Sequence, residues 1–472
     1  MSVLCLVASL AAAPDLGAEL RQLQATASGT TAFSVVESLT TEVGARLAGT
    51  PAEARARTWA VQTLKSLDFE NVRVETSTIP GWVRGVERAR VTHPYPQSLS
   101  VTALGKSVPT EAGGFEAELV RFESLAALEG ASEAALKGKI AFIDQAMPKT
   151  QDGASYGAVV GIRARGPSVA ATKGARAVLI RSVGTDHHRF PHTGALSYDP
   201  AAPRIPAAAL SVPDAEQLGR ILDKGAPVRV HLELGSEEVG PAETGNVIGE
   251  IVGSEHPEEI ILLGAHLDSW DLGTGAIDDG AGVGIVTGAA KLIMDSAPRR
   301  PKRTIRVVLF GAEEVGLLGA KAYAKTHEGE LSKHVATMES DFGAGPIYQL
   351  DGRVAEAAWP MLQSLQANHL SRLRIIPGAN GHAGGPDLYP LRAYEVPIIG
   401  LKQDGRDYFD LHHTADDTLD KIDPHSLAQN VAAYASVAWW VAETGPLLRA
   451  GPEPSAPSIG AEKSAPDASA PK

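Results

Sequence analysis

The chain has 472 residues and a mass of 49.3 kDa, which exceeds one ordinary domain and points to two or three. Hydrophobic residues make up 44% and charged residues 21%, with no uninterrupted apolar run of the roughly 18 residues that a membrane-spanning helix needs. The net charge of −13 repels phosphate backbones and anionic lipid, so neither nucleic acid nor a membrane surface is expected as a partner. Cys5 is the only cysteine, which excludes an intrachain disulfide and any thiolate cluster. A metal would have to be held by His, Asp and Glu.

In chain order, residues 1–13 (MSVLCLVASLAAA) read as the remnant of a signal peptide without its basic start. An exported protein, periplasmic or secreted, is therefore the expectation, with a cytoplasmic one as the alternative. Residues 20–105 form the first part of a catalytic domain, with a helix over 52–69 and a strand over 71–79. Residues 106–240 differ in texture, with short strands at 139–144, 175–182 and 206–211 among Gly, Pro and Ala loops, and read as an inserted domain. Residues 241–445 return to the catalytic domain through compact apolar strands at 259–266, 304–314, 334–341 and 396–404, with helices over 282–296 and 317–327. Strands buried on both faces and separated by helices predict an α/β fold with a mainly parallel central sheet flanked by helices, whose ligands gather at the carboxyl ends of the strands. The Pro-, Ala- and Ser-rich tail, 446–472, has the composition of a disordered segment.

Candidate metal ligands fall at those strand ends and in the loops beyond. They are His266 in GAHLDSW, Asp278 in GAIDDGAG, Glu314 in GAEEVG, Asp341 in MESDFG and His413 in DLHHTADDT. Two divalent cations need a bridging carboxylate plus further carboxylates and imidazoles shared between them, and this set supplies that inventory. Asp278 is the natural bridge, with His266 and Asp341 completing one site and Glu314 and His413 the other. Zinc suits such ligands best, with cobalt or manganese as substitutes. Glu313 precedes Glu314 at a strand end, so its side chain points elsewhere and suits a general base that later protonates the leaving amine. Asp268 could fix the tautomer of His266, and His412 could donate to a developing oxyanion.

Other signals are weaker. His187, His188 and His192 in DHHRFPHTG have ligand-like spacing but read as a polar loop. GASYG (153–157) matches the serine-hydrolase elbow pattern around Ser155, but QAMPKTQD before it is no strand. GTGAIDDGAGVG lacks the Lys-Ser/Thr of a phosphate-binding loop. Asp387 and Tyr389, in NGHAGGPDLYPL, are candidates for substrate contact or for an ordinary turn.

Together HLDSWDLGTGAIDDGAG, PKRTIRVVLFGAEE, MESDFG and HHTADDT resemble the carboxypeptidase Q-like branch of the co-catalytic zinc exopeptidases. GWVRGVE (81–87), PHTG and RIPAAALSVPDAEQL extend the resemblance over about residues 30 to 443. It implies a phosphorylase/hydrolase-like catalytic domain interrupted by a protease-associated domain, and hydrolysis of short peptides. It also implies zinc on His266, Asp278 and Asp341 and on Asp278, Glu314 and His413, with Glu313 as base, in an exported and dimeric enzyme. The function expected is a two-metal exopeptidase that hydrolyses dipeptides or removes the N-terminal residue of short peptides through a metal-bound hydroxide. The alternatives are an amidohydrolase for N-acyl amino acids on the same metal pair and a noncatalytic receptor-like protein.

Overall fold

A computed structural model describes residues 15–27, 31–382, 384–446 and 449. The apolar start and nearly all of the tail from residue 446 lie outside the described residues, among which no helix is long and apolar enough to cross a membrane.

The fold is mixed α/β with two eight-stranded sheets. One contains β1 (Glu70–Val83), β10 (Glu237–Ile251), β11 (His256–His266), β12 (Arg303–Phe310), β13 (His334–Glu339), β14 (Ile347–Arg353), β15 (Ile376–Asn380) and β16 (Ile398–Gln403), in the order β1-β10-β12-β11-β13-β16-β14-β15. The other contains β2 (Glu87–His93), β3 (Gln97–Leu99), β4 (Val101–Ala103), β5 (Phe115–Phe122), β6 (Ile140–Ile143), β7 (Ala177–Arg181), β8 (Ala207–Leu210) and β9 (Arg229–Leu234), in the order β3-β2-β9-β5-β6-β7-β8-β4.

In the first sheet β12, β11, β13 and β16 form a continuous parallel block, while β1 and β10 pair antiparallel to their neighbours, and β14 is antiparallel to β16 but parallel to the edge strand β15. The expected parallel sheet is thus its centre, with antiparallel flanks. β1 and β10 run as a ribbon through which the chain leaves this sheet and returns. Between them, strands from Glu87 onward build the second sheet, so β2, β3 and β4 belong to it although the sequence groups residues 87–103 with the first catalytic segment.

β11 is buried on both faces, which is why it reads as an unbroken apolar run. Ile261, Leu263 and Ala265 join a core with the helices Ala281–Ser296 and Pro424–Thr444, while Leu262 packs with Tyr323 of the helix Leu318–Thr326. At the opposite end from the candidate ligands, β13 is anchored by a buried polar network. Arg306 Nη1 donates to the Tyr323 hydroxyl (3.0 Å), so that O–H is directed to His334 Nε2 (2.9 Å), and His334 Nδ1 faces the Glu330 carbonyl (3.3 Å).

Burial, aided by Arg306, pulls the pKa of His334 down to about 3. An unfolded histidine titrates near ~6.5, so the stability from its neutral ring is complete above that pH and is lost as pH falls toward 3. Denaturant unfolding should show the stability gap between the unaltered protein and His334→Gln shrinking by at least about 1.4 kcal/mol from pH 7 to pH 4. A pH-independent gap would contradict this assignment.

Candidate functional site

The carboxyl ends of the adjacent parallel strands β12, β11 and β13 converge on one cluster. β11 ends at His266, β12 is followed by Glu313 and Glu314, and β13 by Asp341. Asp278 comes from the turn before the helix Ala281–Ser296, and His413 from the loop after the helix Tyr408–Leu411.

The five candidate ligands come together. His266 Nε2 lies 3.1 Å from Asp278 Oδ1 and 3.6 Å from Asp341 Oδ1. His413 Nε2 lies 3.3 Å from Asp278 Oδ2 and 3.0 Å from Glu314 Oε2. The two oxygens of Asp278 therefore face two separate imidazole–carboxylate sets. In each set the far nitrogen of the imidazole meets a backbone carbonyl: His266 Nδ1 that of Asp268 (2.9 Å), His413 Nδ1 that of Thr193 (3.2 Å). A neutral ring donating there presents its Nε2 lone pair to the carboxylates.

Such an arrangement calls for positive charge at its centre. Asp278 Oδ2 and Glu314 Oε1 are buried without hydrogen-bond partners. Burial opposes a charged His413, yet Glu314 and Asp278 outweigh it and raise its pKa to about 9. Asp278 is pushed up by burial, but the imidazoles of His266 and His413 beside it hold it well below the usual carboxylate range. The donor set, the unpartnered oxygens and this pull on protons fit divalent cations held by imidazole and carboxylate. Asp279 also falls in a ligand-like group with His266 and Asp341. Its oxygens, however, accept from the His266 and Gly282 amides, both at 3.0 Å, so it caps the following helix.

Glu313 faces the cavity beside this cluster, and burial, reinforced by Asp341, Glu314 and Asp387, pushes its pKa well up. Asp268 acts differently from the sequence reading: its main-chain carbonyl meets the His266 ring, whereas its carboxylate Oδ1 accepts from the Glu313 amide at 3.0 Å and is 3.8 Å from His266 Nδ1. His412 stacks on His413 with centroids 3.5 Å apart, and burial together with His413 lowers its pKa far enough to keep it neutral. Its Nδ1 has no hydrogen-bond partner.

A cavity of about 520 Å³ opens on these groups, and its wall includes Tyr156 and Arg163 from the segment that carries the second sheet. Tyr389 lines it as well, 44% exposed. Asp387 is fully buried with both oxygens unpartnered, and burial pushes its pKa well up. His187 and His188 are exposed, while His192 is buried against Asp186 at 2.9 Å. Ser155 sits in a short helix, Ala154–Val159, with no strand leading into it, so the elbow is not formed.

Three comparisons decide the family. The description of peptidase family M28 matches residues 246–438. Mouse carboxypeptidase Q is 36% identical over 407 residues, covering 86% of this chain and 84% of that protein. The chain belongs to peptidase family M28. A crystal structure of a peptidase M28 precursor from Shewanella amazonensis SB2B is 50% identical, with a TM-score of 0.91 over 93% of this chain and 99% of that one. A zinc aminopeptidase from Bacillus subtilis, 20% identical with a TM-score of 0.63 over 88% of this chain and 97% of its own, shares the fold.

Some residues of this M28 site escaped the sequence reading. Asp417 accepts from the amides of Ile277 (2.6 Å) and Asp278 (3.1 Å), fixing the turn that presents the shared carboxylate. Arg46, fully buried, donates to the carbonyls of Leu267, Thr274 and Gly275 and ties that loop down. The acidic run ADDT was the only hint of Asp417, and nothing marks Arg46.

Asp417→Ala would leave two buried amides without acceptors at about 1–3 kcal/mol each. Denaturant unfolding of chelator-treated protein should show a loss of about 2–6 kcal/mol. A loss below about 0.5 kcal/mol would mean that Asp417 does not hold the turn.

Proposed function

We propose that this M28 peptidase is a zinc-dependent exopeptidase that hydrolyses dipeptides or removes the N-terminal residue of short peptides, with two metal ions sharing Asp278. The observation that carries the reading is the division of the Asp278 oxygens between two ligand sets. His266 and Asp341 would complete one metal site, and Glu314 and His413 the other. The zinc named for the Bacillus subtilis aminopeptidase accords with this donor chemistry.

When bound, such a pair of cations polarises a carbonyl and makes water a nucleophile at neutral pH. The chain's own residues then do the following. Glu313, whose backbone amide is fixed by Asp268, takes the proton of the attacking water and passes it to the departing amine. His412, neutral and with Nδ1 unpartnered, offers an N–H to the developing oxyanion. Asp268 positions both His266 and Glu313. The acidic wall that includes Glu339 suits a free amino group, and Asp387 and Tyr389 shape that side of the cavity.

The second sheet is read as a protease-associated domain inserted between β1 and β10, which narrows access to the cavity. A dipeptide is the substrate that reconciles the relatives' names, because its cleavage removes an amino-terminal and a carboxy-terminal residue at once. Export and a homodimer complete the reading; they rest on the apolar start of the sequence and on the family resemblance.

Glu313→Gln should keep its metal and lose about 10²–10⁴-fold in kcat on a dipeptide panel. Undiminished turnover would remove Glu313 from the proton path. Chelation should abolish hydrolysis and zinc restore it, with activity in the stripped protein as the contrary result. Faster turnover of N-acyl amino acids than of dipeptides would move the assignment to an amidohydrolase, and no turnover of either to a binding protein.

A further inference from the structure

We propose that the second-sheet loop at 185–193, through His192 and Thr193, is the positioning device for the His413 half of the metal centre. The inference rests on the two-metal reading and extends it: one half of the centre is set by the catalytic sheet itself, the other by a separate sheet.

His413 has a left-handed backbone, φ 63°, a conformation that non-glycine residues hold only where their surroundings impose it. Those surroundings come from the loop. The Thr193 amide donates to the His413 carbonyl (3.0 Å), while the Thr193 carbonyl receives His413 Nδ1 (3.2 Å), a reciprocal clamp on one residue. One residue earlier, the His412 carbonyl accepts from His192 Nδ1 at 2.7 Å. Further back, Thr185 donates its amide to the Phe409 carbonyl (3.0 Å) and its hydroxyl to Asp410 (2.7 Å).

His192 is itself seated. It is 1% exposed, its Nε2 meets Asp186 Oδ1 at 2.9 Å, and its amide donates to Ser182 Oγ (2.8 Å), which in turn donates to the Leu210 carbonyl (2.6 Å) at the end of β8. A Cβ at Gly184 would stand 2.2 Å from the ring nitrogen, so the position opposite the imidazole must be glycine. A continuous set of hydrogen bonds therefore runs from the second sheet to the Nδ1 of His413. The His266 ring is oriented instead by Asp268, two residues along its own strand exit. Metal affinity should accordingly be separable: disturbing His192 weakens the ion at Glu314 and His413 and spares the ion at His266 and Asp341. A buried histidine that merely glues two sheets together would show no such asymmetry.

The test uses the full chain with two variants. His192→Leu keeps bulk and removes both hydrogen bonds; His192→Asn keeps an N–H donor near the position of Nδ1. In metal-free protein, hydrogen exchange over 408–416 should rise at least tenfold in His192→Leu and stay within about threefold of the unaltered chain in His192→Asn. Titration with zinc, and with cobalt followed by its visible spectrum, should show His192→Leu taking one ion with unaltered affinity and the second at least tenfold more weakly. His192→Asn should recover both. Unchanged exchange in His192→Leu, or equal weakening of both ions, overturns the inference. An unaltered chain that takes fewer than two ions overturns the two-metal reading instead, and the metal-free exchange comparison still decides the role of His192. Should His192→Leu not fold, Asp186→Ala, which unseats the ring without removing it, carries the same readouts.

Discussion

One carboxylate shared between two imidazoles organises this molecule. Burying charge is costly unless it is paired or bonded, and the region around Asp278 buries Asp268, Asp279, Glu314, Glu339 and Asp417 with few cations among them. Hydrogen bonding sorts these acids by task. Asp279, Glu339 and Asp417 spend their oxygens on backbone amides and so hold turns in place. Asp278 Oδ2 and Glu314 Oε1 are left open, each facing His413 Nε2 through its own carboxylate group or that group's second oxygen. The scaffold thereby concentrates unsatisfied negative charge at one point, which is the electrostatic condition for holding cations.

The topology explains why this point lies where it does. Parallel neighbours present their carboxyl ends on the same edge, so three consecutive strands in space deliver His266, Glu313 with Glu314, and Asp341 to one place without any of them being close in sequence. The antiparallel ribbon of β1 and β10 then has a distinct purpose: it carries the chain out to the second sheet and back, bringing Tyr156 and Arg163 against the same cavity and Thr193 against His413. The site is thus assembled from one sheet and closed by another.

Much of this was legible in the sequence, and the reason is physical. Short apolar runs that end abruptly in His, Asp or Glu mark strands buried on both faces whose polar exits are exposed to a ligand, and each of the strands expected on that basis at 259–266, 304–314, 334–341 and 396–404 is present in the sheet. β10, with Gly240, Pro241 and Gly245 in EEVGPAETGNVIGEI, does not read as a strand, because its conformation is imposed by pairing with β1 rather than by its own propensity. Likewise the five candidate ligands, which the fold brings together, could be named from residue type and position, whereas their supports could not. The atom that orients His266 is a main-chain carbonyl, the acid that fixes Asp278 lies 139 residues away, and the group that orients His413 belongs to the other sheet. Such contacts depend on long-range packing, which local sequence patterns do not encode.

Diffraction data collected at the zinc absorption edge from crystals of the zinc-loaded chain test the shared carboxylate most directly. The proposed two-metal site predicts two anomalous peaks roughly 3.5–4 Å apart, each about 2.0–2.2 Å from a different oxygen of Asp278. A single peak, or two peaks that share no oxygen-bearing group at Asp278, would contradict it.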